Sequence, residues 1–136
     1  MSKVENIQRK YTKHVKGLST FSYEQRLHKL KLPSLEYRIL RGDMIQVFKI
    51  AHNYYDPVTT KGIFNFQDNS RLRGHNFKIM KQSVNRSRYA NFFTNRVGNN
   101  WNKLPYHIVN AKNINNFKNL FDDYNSDIQY KTDISK

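Results

Sequence analysis

Arg71 and Arg73 in "RLRGHN", Lys78 and Lys81 in "NFKIMK", and Arg86, Arg88 and Arg96 beyond them form a row of cations with no acid among them. The forked guanidinium of Arg matches a pair of phosphate oxygens, and Lys supplies a point charge. Cations repeated along a chain in this way suit a phosphate backbone. His75 follows Gly74, a turn residue that can present an imidazole to solvent or to a phosphate. Phe77 and Tyr89 carry ring faces on which unpaired bases stack, although such rings more often serve a core. Nearer the N-terminus Arg9, Lys10, Lys13 and Lys16 fall within two helical turns, with Lys13 and Lys16 three apart. Arg38 and Arg41 repeat that spacing, within reach of Glu36 or Asp43 as pairing partners.

The charge behind these residues is large and unevenly placed. The 136-residue chain has 24 Lys and Arg against 10 Asp and Glu, a net charge of +14. Residues 69–121 contain no acid, but they contain Arg71, Arg73, Lys78, Lys81, Arg86, Arg88, Arg96, Lys103, Lys112 and Lys118. Residues 1–42 hold a second basic excess, and residues 43–68 and the chain after 121 are close to neutral. Blocks of one sign point to a polyanion, most often nucleic acid. A drift toward Asn, Lys, Ile, Tyr and Phe would raise the Lys content, but it does not explain why acids vanish from one block.

Other chemistries lack their residues. With no cysteine there is no disulfide and no thiolate zinc site, which suits a reducing, intracellular setting in nucleus or cytoplasm. His14, His28, His52, His75 and His107 never pair at metal-ligand spacing. Asp122 and Asp123 are adjacent, so on a helix they point different ways. No glycine-rich phosphate loop and no nucleophile triad is present, and no cofactor is implied. No apolar run approaches the ~20 residues of a membrane helix.

Helical periods organise the rest. Val4, Ile7, Tyr11 and Val15 predict a first helix over 2–16, with Ser2 and Glu5 as a capping box and Gly17 as its stop. Ser22 and Gln25 cap a second helix carrying Tyr23, Leu27 and Leu30. Ser34 opens a long helix to about 55, with Leu35, Ile39, Leu40, Met44, Val47, Phe48, Ala51 and Tyr55 facing a core, ended at Asp56-Pro57. "GIFNF" and "NFKIMK" alternate and predict a short extended or hairpin segment near 62–82. From Ser87 the helical period returns through Tyr89, Phe93, Val97, Trp101 and Leu104 to Pro105. Trp101 lies on this stripe and reads as core rather than as a base platform. Asn113 caps a last helix over 113–124. The fold class is therefore mainly α, one small domain of about five helices over 1–125, followed by a flexible polar tail over 126–136.

"ENIQRKYTKHVKGL", "YEQRLHKLKLPSLEYRILRGDMIQVFKI", "RGHNFKI", "FFTNRVGNNWNKLP" and "IVNAKNINNFKNLFDDY", in that order, resemble the region after the polymerase core in LINE-type (non-LTR) retrotransposon reverse transcriptases. The closest likeness is to the Jockey and chicken-repeat kinds, and it runs from about Val4 to Tyr124. The family's catalytic aspartates belong to a Tyr-x-Asp-Asp motif upstream of this region, and this chain has no such motif. The resemblance therefore implies a non-catalytic domain that helps to hold template RNA or target DNA, with residues 1–16 matching the exit from the thumb. It also implies that the chain is a truncated or domesticated piece of an element. Two functions follow as expectations. One is a grip on RNA or DNA phosphates through Arg71, Arg73, His75, Lys78, Lys81, Arg86, Arg88, Arg96, Lys13, Arg38 and Arg41. The other is a structural domain docking on the rest of a reverse transcriptase, or a relic with no activity of its own.

Overall fold

The computed structural model describes residues 3–67, 75–80 and 93–132, the side chains of Lys3 and Asn95 excepted. Among these the chain is mainly helical: α1 (Lys3–Lys13), α2 (Tyr23–Leu30), α3 (Leu35–Ala51), α4 (Pro57–Thr60), α5 (Phe93–Asn102), α6 (Tyr106–Val109) and α7 (Ile114–Tyr124). Two of the seven, α4 and α6, have only four residues each and leave no period to read in the sequence. The chain divides into two compact units, Met1–Arg41 with Asp122–Lys136, and Gly42–Phe121; α3 and α7 contribute to both.

Several helix ends follow from side chains at the expected places. The Ser22 hydroxyl accepts from Gln25 N and the Gln25 side chain accepts from Ser22 N, the reciprocal cap at the start of α2. Ser34 Oγ accepts from Tyr37 N at 3.2 Å, and Asn113 Oδ1 accepts from Asn116 N at 2.8 Å, which caps α3 and α7. The long helix stops at Ala51, short of the expected 55. Asn53 takes a left-handed φ of 56°. This lets Asn53 N donate to Ile50 O and Tyr54 N donate to Lys49 O, closing the last turn. Asp56 and Pro57 then start α4 rather than end α3, with Val58 N donating to Asp56 Oδ1 at 3.0 Å.

In the first unit α1 differs most from expectation. Val4, Ile7 and Tyr11 are 58%, 55% and 70% exposed, and the buried side of the helix is polar. Glu5 accepts from Tyr23 Oη at 2.7 Å and from Leu35 N at 3.0 Å. The expected partner in its capping box, Ser2, lies outside the described residues. Arg26, also buried, donates to Thr12 Oγ1, Phe21 O and Arg9 O. Residues 126–132 were expected as part of a frayed tail but fold back on this unit. Ser34 N donates to Gln129 O at 2.9 Å, Tyr130 lies 4.8 Å from the His28 ring, and Thr132 bonds Glu24.

The second unit holds an aromatic core. Phe48 stacks on Phe117 at 4.4 Å, Phe117 stacks on Phe121 at 5.9 Å, and Trp101 lies 6.1 Å from Phe117. Met44, Val47, Val97, Leu104, Ile108 and Val109 close around these rings. Burying side chains of this size is the main favourable contribution to the unit, each worth ~1.5–3 kcal/mol. His52 Nε2 donates to Val109 O at 2.8 Å and ties the end of α3 to α6.

Candidate nucleic-acid interface

At the centre of the candidate interface the described residues are the stretch His75–Met80, a turn at Asn76–Phe77 leading into the bridge residue Ile79. His75 and Ile79 are buried, Phe77 and Lys78 half-buried, and Asn76 and Met80 exposed. Two elements hold it. On one edge it pairs with the 65–67 stretch through an antiparallel bridge of Phe66 and Ile79, with Gln67 N donating to Lys78 O and Met80 N to Asn65 O, both at 2.8 Å. The expected hairpin is therefore present as a two-stranded contact, and its connection, 68–74, lies outside the described residues.

On the other side the end of α5 clamps it. Trp101 is fully buried, as its place on the helical stripe predicted, and its Nε1 donates to Phe77 O at 2.7 Å. The Asn102 amide then acts as a substitute strand: Ile79 N donates to Asn102 Oδ1 at 2.8 Å and Asn102 Nδ2 donates to Ile79 O at 2.9 Å. His75 completes the clamp, its Nε2 donating to Trp101 O at 3.2 Å and its ring edge-on to the indole at 5.8 Å.

His75 is thus a core residue, and the expectation that it faces solvent or a phosphate is corrected. Its bond to the Trp101 carbonyl and its edge contact with the indole hold it inward, 2% exposed. A carbonyl only accepts, so Nε2 carries the proton, and Nδ1 is buried with no partner among the described residues. Burial lowers the imidazole pKa below its usual value; the bond to Trp101 opposes this and the charge of Lys78 reinforces it.

No family model, curated protein or solved structure matches this chain.

The other candidate residues divide by what already holds them. Arg96 forks onto Asp43, with Nε to Oδ2 and Nη2 to Oδ1 both at 2.8 Å, and is half exposed. Arg41 forks onto Asp122 at 2.6 and 2.7 Å, and the same carboxylate accepts from Tyr37 Oη at 2.7 Å. The hydrogen bonds to their carboxylates raise the pKa of both guanidinium groups. Burial, reinforced by the Asp122 bond, holds the Tyr37 phenol well above its ordinary value. Arg41 thus pairs with neither Glu36 nor Asp43, the partners nearest in sequence. Arg38 is exposed and donates to Gln8 Oε1. Lys13 is exposed in the last turn of α1, where its charge complements the helix dipole. Arg71, Arg73, Gly74, Lys81, Arg86, Arg88 and Tyr89 lie outside the described residues.

Asn102 and Asp122 are the functional side chains that sequence reasoning passed over. No local pattern in the sequence marks Asn102 as an amide that will pair with an extended stretch. Asp122 was set aside as half of an adjacent acidic pair. Its partner Arg41 is 81 residues away, beyond the reach of any periodicity.

Proposed function

We propose that this chain is a non-catalytic nucleic-acid-binding domain, a piece of a retrotransposon reverse transcriptase of the LINE type, that grips RNA or DNA by its backbone phosphates. The observation that carries the reading is the acid-free block of residues 69–121 with its ten cations. The clamp of Trp101 and Asn102 supports it. The clamp holds His75–Met80 in place, and in the chain Arg71 and Arg73 precede this stretch while Lys81, Arg86 and Arg88 follow it. With Arg41 and Arg96 already forked onto carboxylates, the phosphate-binding set of this proposal centres on Arg71, Arg73, Lys78, Lys81, Arg86 and Arg88. Lys13 and Arg38 are auxiliary. The domain supplies grip and no chemistry of its own.

The test is charge reversal. A grip on ~5 phosphates of a single strand gives a slope of log affinity against log salt near −3.5. Replacing Arg71, Arg73 and Arg88 together by Glu removes three of those contacts, so the slope falls to about −1.4 while thermal unfolding stays cooperative. A folded triple variant that keeps both affinity and slope overturns the proposal.

A further inference from the structure

Among the described residues, the apolar stripe of α1 faces outward. Val4, Ile7 and Tyr11 are 58%, 55% and 70% exposed, in a row with spacings of three and four, and Val15, just past the helix end, is 42% exposed. That is the spacing of a helix–helix seam, one side chain wide, and from Val4 to Tyr11 it runs about 10 Å at the helical rise. The exposure is built into the fold. About a third of a turn away, Glu5 takes the Tyr23 hydroxyl and Leu35 N, and Thr12 takes Arg26 Nε. Turning α1 to hide its apolar side would strand a buried carboxylate and a buried guanidinium.

We propose that this stripe docks an acidic amphipathic helix of a partner protein. The spacing fits the apolar seam of one helix, and because the inner face of α1 stays bound to α2, the partner approaches from one side only. Charge decides the rest. Residues 6–23 contain no acid; Lys10 is exposed on the flank of the stripe, and Lys13, His14 and Lys16 are exposed at the C-terminal end of the helix and just beyond it. A helix with Glu or Asp flanking its seam gains from this basic end, whereas a second copy of this chain, itself at +14, brings lysines against lysines. The surface is separate from the phosphate grip proposed above and does not depend on it.

The test uses the full chain and two synthetic peptides: a helix with leucines at the seam and glutamates on its flanks, and the same helix with alanines at the seam. The leucine peptide binds and the alanine peptide binds at least about tenfold more weakly. The neutral variant Ile7→Gln with Tyr11→Gln lowers affinity for the leucine peptide about 30-fold with an unchanged circular dichroism spectrum. Equal binding of the two peptides, or a folded variant that binds as tightly as the parent chain, overturns the proposal. So does self-association of the chain that the variant abolishes, or stripe-dependent binding confined to phosphatidylserine vesicles.

Discussion

Replacing Asn102 by Ala isolates the clamp from the charge it positions. The amide makes two bonds to one residue, 2.8 Å from Ile79 N and 2.9 Å to Ile79 O, and Ile79 is 4% exposed. A typical internal hydrogen bond contributes ~1 kcal/mol net, and a buried donor left unpaired costs ~1–3 kcal/mol. The Ile79 N–H loses its acceptor in this variant. Its carbonyl loses one of two possible donors, so the expected destabilisation is about 2 kcal/mol. For a chain of this size that lowers the unfolding midpoint by roughly 8 °C. Urea denaturation with fluorescence of the single tryptophan reads the loss directly, because Trp101 is the neighbour of the mutated residue. Net charge is untouched, so a weaker grip on nucleic acid in the folded variant measures what positioning contributes. A loss below about 0.5 kcal/mol would show that the 75–80 stretch is held without the amide and would refute the clamp.

Two further perturbations probe the interior. His75 is neutral and buried, with its pKa lowered mainly by burial, so the unfolded chain binds more protons than the folded one as pH falls below ~6.5. Stability from this residue is complete above pH 6.5 and declines below it, with a slope of at most ~1.4 kcal/mol per pH unit. His75→Gln should flatten that part of a urea-midpoint profile, and an unchanged profile would mean that other groups carry it. Asp122→Ala strands Arg41 and the Tyr37 hydroxyl and should cost about 2 kcal/mol, whereas Asp123→Ala, on an exposed neighbour, should cost almost nothing; thermal unfolding of the pair decides it.

What was legible in the sequence is what local rules govern. The caps at Ser22, Ser34 and Asn113 marked the starts of α2, α3 and α7. The stripe through Val97 and Trp101 placed the indole in a core. The misreadings share one cause: a period shows that a helix has two faces, and the tertiary partner chooses between them. Val4, Ile7 and Tyr11 gave α1 its period, but Tyr23, Arg26 and Leu35 N offered hydrogen bonds to another side of the helix, and that side went in. His75 looked like a turn residue because Gly74 precedes it, whereas the carbonyl and indole of Trp101, 26 residues away, hold it inward. Asn53 ended α3 early by a left-handed turn that many residues at that place would have resisted. The polar composition of residues 126–132 suggested fraying, yet backbone bonds such as Ser34 N to Gln129 O need no apolar side chain.

The central claim is that the acid-free block grips phosphates. Its most direct test is fluorescence anisotropy of the chain against single-stranded RNA, structured RNA and duplex DNA across a salt series. The account predicts tight binding with a single-strand slope near −3.5 and affinity that survives physiological salt. Weak binding, alike for all three ligands and gone at 0.15 M salt, would contradict it.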